Sequence, residues 1–158
     1  MTMHDEKTEA RLRRLEDRAD LKALVDTFSI LADRKDIRSQ VLLFTEDATV
    51  DSYVGDQRVS ALKGREQLAA AFEGYLSRFE TVYHQNGQQT VEIEGGRATG
   101  TAYCLTVLVG MQDGRRVMTT SGVTYADRYV RGEAGWLIAG RVTRLEWQRS
   151  EELPAAQP

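Results

Sequence analysis

Three features of this 158-residue chain predict an α+β domain. Before Val82, apolar residues recur mainly at three- and four-residue spacing, the periodicity of a helix with one buried face. From Val82 onward the period is two, the alternation of half-buried strands, and Asp113-Gly114 between two such runs signals a hairpin. Helices first and antiparallel strands after favour a strongly bent sheet wrapped around N-terminal helices over a doubly wound parallel sheet. Such a sheet encloses one cavity.

The elements follow in order. Leu12, Leu15 and Ala19, then Leu21, Leu24, Val25, Phe28, Leu31 and Ala32, lie on one helical face. A short break is expected between Arg18 and Asp20, with Asp20 as N-cap of the second part, and an end between Asp33 and Asp36. A short helix over 37–44 comes next, and Ala48-Thr49-Val50-Asp51-Ser52-Tyr53 alternates like a strand. Residues 64–79 read as a second amphipathic helix with Leu68, Ala71, Phe72, Tyr75, Leu76 and Phe79 inward. Thr90-Val91-Glu92-Ile93-Glu94 leads through Gly95-Gly96 into a strand over 98–111, and two long strands over 116–129 and 136–147 complete the sheet. The glycines at 95, 96, 110 and 114 read as turns and sheet bends, since no phosphate-loop or dinucleotide fingerprint surrounds them. Residues 1–9 are expected as a charged tail, too charged for a signal peptide, 10–148 as a single domain, and 149–158 as a flexible tail holding both prolines.

Composition narrows the function classes. A formal net charge of −3 gives no basic footprint for nucleic acid. No apolar run approaches the roughly 20 residues of a membrane span. The single cysteine, Cys104, excludes an intramolecular disulfide and a multi-thiolate zinc site, fits a cytoplasmic location, and reads as a small buried hydrophobe.

His84 is the one histidine within the body of the chain, in Thr81-Val82-Tyr83-His84-Gln85-Asn86-Gly87. It is either a satisfied strand residue or a proton-transfer group. Asp33, at the end of an apolar helix face, is either a solvated carboxylate paired with Arg34 or Lys35 or a partner for that histidine. Four residues separate it from Ser29, so the two share a side of the helix. A carboxylate is disfavoured at the negative end of a helix dipole, which weighs against the solvated reading. Thr119, Thr120 and Ser121 lack a nucleophilic context, and Asp5, Glu6, Lys7, Glu9 and Arg11 read as a solvated helix face.

Several segments taken together resemble the SnoaL-like group of the nuclear transport factor 2-like superfamily. These are Leu31-Ala32-Asp33-Arg34-Lys35-Asp36, Leu43-Phe44-Thr45-Glu46-Asp47-Ala48 and Leu62-Lys63-Gly64-Arg65-Glu66, then His84 ahead of Val91-Glu92-Ile93-Glu94-Gly95, and Asp127-Arg128-Tyr129 ahead of Gly135-Trp136-Leu137-Ile138. The likeness spans residues 10 to 148 and implies a cone: a curved antiparallel sheet closed by helices over a deep apolar pocket. It is greatest to the scytalone dehydratase and bile-acid 7α-dehydratase branch. By that resemblance Asp33 and His84 are the catalytic pair, and Tyr53, Phe28, Tyr103, Arg144 and Trp147 are expected around the substrate. Phe28 departs from the pattern, standing about where those enzymes carry a tyrosine, and no second histidine matches that of scytalone dehydratase. Tyr53, Tyr83 or Tyr103 is available to supply the missing donor. The epoxide-hydrolase branch needs an Asp-Arg-Asp set, for which Arg97, Arg144 and Asp127 are present without a positional match. The resemblance implies a cofactor-independent lyase, a dehydratase acting on a small hydrophobic carbonyl compound through an enolate. Two alternatives stay open: a polyketide-type cyclase or isomerase using the same pair, and a ligand-binding or dimerisation module without catalysis. No cofactor or metal is expected. The expected partners are a small polyketide, aromatic or steroid-like molecule and further copies of the chain in a homodimer or homotrimer.

Overall fold

In the computed structural model, which describes residues Met3–Pro154, three helices pack against one six-stranded sheet of order β2-β1-β6-β5-β4-β3. The helices are α1 (Met3–Asp33), α2 (Ile37–Val41) and α3 (Arg65–Leu76). The strands are β1 (Phe44–Val54), β2 (Gln57–Lys63), β3 (Phe79–Glu94), β4 (Arg97–Gln112), β5 (Arg115–Gly132) and β6 (Gly135–Glu152). The α+β class holds. One pairing departs from an all-antiparallel sheet: β1 lies parallel to β6, with Phe44 opposite Ile138 and Val54 opposite Leu145. The short strand β2, unread in the sequence, folds back on β1 across Gly55, whose φ of 57° suits a tight turn.

α1 runs unbroken through 18–20, where a break was expected. No glycine or proline interrupts it, and Asp17 is held from outside: its carboxylate accepts from Arg131 Nη2 at 2.7 and 2.8 Å and from Trp136 Nε1 at 3.0 Å. Burial alone would raise the pKa of Asp17, but the Arg131 and Trp136 bonds outweigh it and hold the carboxyl below its usual value. The helix starts at Met3, so most of the stretch expected as an N-terminal tail is helical, while Leu12 and Leu15 on the expected apolar face stay exposed. At the other end β6 continues to Glu152, inside the stretch expected as a flexible tail. Residues 1, 2 and 155–158, which complete both expected tails, lie outside the described residues.

The main core gathers Leu21, Val25 and Phe28 of α1 with Phe44, Val50, Leu68, Tyr129 and Ile138. Phe28 meets Phe44, Phe72 and Tyr125 edge-on, with ring centroids 5.9, 6.1 and 6.2 Å away. Inside β4, Gly100 lets Tyr129 close over it. A Cβ there would stand 2.9 Å from Thr90 O and Val91 Cγ1 and 3.1 Å from the Tyr129 ring. Gly100→Ala is therefore expected to cost about 1–3 kcal/mol, seen as a lower midpoint in thermal or urea unfolding; an unchanged midpoint would contradict this packing.

Two bulges in β6 decide which side chains face inward. Opposite Arg128/Tyr129 and again opposite Gly122/Val123, β6 carries one residue more than its partner β5. The inward series therefore runs Trp136, Ile138, then Arg141, Thr143, Leu145, then Gln148. Each bulge flips the alternation, as a one-residue slip does.

Candidate active site

The concave face of the sheet, α1, α2 and α3 enclose a cavity of about 670 Å³, within the range of small-molecule sites. Its exposed rim includes Val54, Val59 and Tyr75, and its deep end includes Phe28, Gln40, Tyr125 and Arg141, all nine-tenths or more buried.

Local chain geometry delivers Asp33 to His84 in the wall of this cavity. α1 ends in a Schellman arrangement: Lys35 N–H donates to Ala32 O at 2.9 Å and Asp36 N–H to Leu31 O at 2.9 Å, with Lys35 at φ 54°. Asp33 is thus the last residue of the helix, and its side chain reaches β3, an edge strand with N–H groups free to face the helix. One carboxylate oxygen accepts from the backbone N–H of His84 at 3.2 Å, and the other lies 2.6 Å from His84 Nδ1. A carboxylate only accepts, so Nδ1 carries the proton. His84 lines the cavity, which leaves Nε2 as the ring nitrogen available to a bound molecule. Burial pushes the imidazole below its usual pKa and Arg141 adds to that, while Asp33 opposes both without reversing them.

The same helix side is stitched to β3 turn by turn. Ser29 Oγ donates to Asn86 Oδ1 at 3.0 Å, Asn86 Nδ2 donates to Asp26 Oδ1 at 2.9 Å, and Gln89 Nε2 donates to Leu21 O at 3.3 Å. Ser29, expected to share a side with Asp33, does so and anchors the strand two residues beyond His84.

Across the deep end stands a charge that the sequence reading missed. Arg141 donates through Nε and Nη2 to both oxygens of Asp127, each at 2.7 Å, and Tyr129 donates its hydroxyl to the same carboxylate at 2.9 Å. Its guanidinium carbon lies 4.0 Å from the ring centroid of Tyr125 and 4.4 Å from that of Phe28. Burial disfavours the cation, but the attraction and bonding of Asp127 prevail and the pKa is raised. Burial likewise pushes the phenols of Tyr125 and Tyr129 well above their usual range, so both stay protonated donors. Arg141 Nη1 is buried and has no partner among the described residues.

The expected site residues divide cleanly. His84, Phe28 and Tyr53 line the cavity, and Asp33 meets His84 as expected. Tyr103 does not line it: it alternates with buried Ala102 and Cys104 and is exposed on the outer face, as is Tyr83. Arg144 is out of phase with Thr143 and Leu145 and stacks its guanidinium 4.6 Å from the Tyr53 ring centroid outside the cavity lining. The first β6 bulge makes Arg141 the inward arginine instead. Trp147 is displaced by the second bulge, which brings Gln148 inward and lays the indole against Gly122. The sequence signal for Arg141 was an arginine within the otherwise apolar stretch Trp136-Leu137-Ile138-Ala139-Gly140-Arg141-Val142; the structure sets it opposite Asp127 on β5.

A polar row crosses the sheet from the dyad to the rim. His84 pairs in register with Thr106, Thr106 with Ser121 and Ser121 with Gln148, and all four line the cavity. Among the described residues no three His, Cys, Asp or Glu side chains come together as metal ligands. No helix there is long and apolar enough to cross a membrane.

The chain itself matches a known class. Residues 13–142 match the SnoaL-like domain family, and the chain belongs to that family. An uncharacterized protein of Mycobacterium tuberculosis H37Rv is 25% identical over 136 residues, 85% of this chain and 89% of the relative. A hexachlorocyclohexane dehydrochlorinase from Novosphingobium barchaimii LL02 superposes with a TM-score of 0.76 at 17% identity, covering 94% of this chain and 99% of that one. A scytalone dehydratase candidate from Novosphingobium aromaticivorans DSM 12444 superposes with a TM-score of 0.74 at 19% identity, covering 92% and 94%. These structural likenesses are likenesses of fold.

Proposed function

We propose that this chain is a cofactor-independent dehydratase of small hydrophobic carbonyl compounds, with His84 and Asp33 as its acid–base pair. The observation that carries the reading is the 2.6 Å Asp33–His84 contact, which fixes the imidazole tautomer with Nε2 left to the cavity. The unpartnered Arg141 Nη1 at the deep end supports it.

In this scheme Nε2 removes a proton α to the substrate carbonyl. The C–H electrons form the enolate double bond, and the oxygen takes the charge beside Arg141. Collapse of the enolate restores the carbonyl, forms the α,β double bond and expels the β-hydroxyl. The proton on Nε2 passes to that leaving group, so water departs and the imidazole is neutral again. Asp33 orients the ring and stabilises the imidazolium between the two transfers. General acid–base catalysis contributes about 10²–10⁴-fold and oxyanion stabilisation about 10²–10³-fold. The cationic guanidinium takes over the donor role that a tyrosine at Phe28 would have had, standing over that very ring.

The decisive measurement uses cyclic β-hydroxy ketones in D₂O, followed by mass. Dehydration removes water from the substrate, and the enolate step introduces α-deuterium; absence of both from purified protein across a ring-size series would sink the proposal. A cyclase or isomerase using the same enolate would exchange deuterium without losing water. The rate should also fall in acid with a midpoint below the ordinary histidine value of 6.5, because the base works neutral and burial lowers its pKa. A midpoint above 6.5 would contradict this. The same shift makes the folded chain harder to protonate than the unfolded one. Its contribution to stability is therefore full above that value and is lost as pH falls toward the lowered pKa.

A further inference from the structure

Beyond the reacting centre, the deep end of the cavity holds a second orphaned polar atom. Gln40, on α2, is 1% exposed and lines the cavity, yet its Oε1 has no hydrogen-bond partner among the described residues. Its amide orientation follows from its neighbour: Nε2 donates to the carbonyl oxygen of Phe28 at 3.3 Å, and the flipped amide would set two acceptors face to face. Oε1 is therefore an acceptor. Buried acceptors in folded proteins are nearly always satisfied, and an unsatisfied one marks a place where a partner belongs.

Gln40 and Arg141 flank the same residue. Gln40 bonds the Phe28 carbonyl, while Arg141 stands 4.4 Å over the Phe28 ring. Each leaves one buried atom unpaired, a donor on Arg141 and an acceptor on Gln40. A bare ketone answers Arg141 and leaves Gln40 unanswered. A halogenated hydrocarbon offers neither a strong acceptor to Arg141 nor a hydroxyl or N–H donor to Gln40.

We propose that Gln40 is a specificity-determining residue whose Oε1 accepts a hydrogen bond from a hydroxyl or N–H of the substrate. The substrate class is thereby narrowed to apolar carbonyl compounds with a second, donating group at the buried end, of which phenolic ketones are the simplest. This inference rests on the carbonyl reading of the site and adds a requirement to it. Gln40 takes no part in the proton transfers.

The test is calorimetric binding of two bicyclic probes, 6-hydroxy-1-tetralone and 6-methoxy-1-tetralone. They share the ketone and differ in the donor. Wild-type protein is expected to bind the hydroxy ketone about tenfold or more tightly than the methyl ether, the worth of satisfying a buried acceptor. In Gln40→Met, which keeps an unbranched chain without the amide, the preference should fall to within about twofold. Equal binding of both probes by wild-type protein would overturn the inference while leaving the carbonyl reading intact. So would a preference that survives in a folded Gln40→Met protein. Failure of both ketones to bind would overturn the carbonyl reading and the inference with it. Where Gln40→Met folds poorly, Gln40→Leu carries the same comparison, and equal binding of the two probes by wild-type protein overturns the inference without any variant.

Discussion

Replacement of His84 by alanine is expected to lower turnover by about 10²–10⁴-fold, the usual contribution of a positioned acid–base group. Binding of a ketone ligand should change little, since the imidazole is one edge of a cavity whose remaining walls, among them Phe28, Phe72, Leu108, Val123 and Arg141, stay in place. Asp33→Asn should lose a comparable factor for another reason. The amide keeps the shape and can still accept from the His84 backbone N–H through its oxygen. Its NH₂ group then faces Nδ1, which favours the tautomer with the proton on Nε2, the wrong atom for a base. Parallel measurement of kcat and ligand Kd separates these roles. A His84→Ala protein that retains full turnover would exclude the dyad, whatever its distance from Asp33.

The second large effect concerns stability. Asp127 and Arg141 have side chains 0% and 1% exposed, so the pair is fully removed from water. Asp127→Ala leaves a buried guanidinium with two of its donors newly unpaired and removes the acceptor of the Tyr129 hydroxyl. A loss of about 3–5 kcal/mol is expected in urea unfolding. The double replacement Asp127→Leu with Arg141→Met should recover much of that, because well-packed apolar pairs often equal or exceed buried ion pairs in stability. Its turnover should nonetheless stay low, with no cation left beside the enolate oxygen. Recovery of both stability and turnover in the double variant would show that Arg141 serves packing alone. A single variant as stable as wild type would show that the pair is not energetically buried.

Much of this was legible in the chain. The spacing of Leu21, Leu24, Val25 and Phe28 gave the core face of α1, and the alternation after Val82 gave the long strands, because both patterns are set by which side of an element meets the core. Asp33 and His84 could be named, and family likeness brought them together, since helix end and strand order are shared features of the fold. The arginine was misplaced for a physical reason. Alternation assigns a face only while the register is unbroken, and β6 breaks it at two points. Those bulges displaced Arg144 and Trp147 and brought in Arg141 and Gln148. The bulges depend on how β6 meets β5, where Arg128 faces Gly140 and Gly122 faces Trp147, and no short motif within β6 announces them. The parallel β1–β6 pairing was hidden for the same reason: it joins strands far apart in sequence.

α1 carries Asp33 and also lies along β3, the long strand at one edge of the sheet. A protein in which α1 came away would lose the carboxylate and at the same moment offer an unpaired row of backbone donors and acceptors to its neighbours. Loss of the Asp33–His84 contact and self-association through this edge would then be one event rather than two.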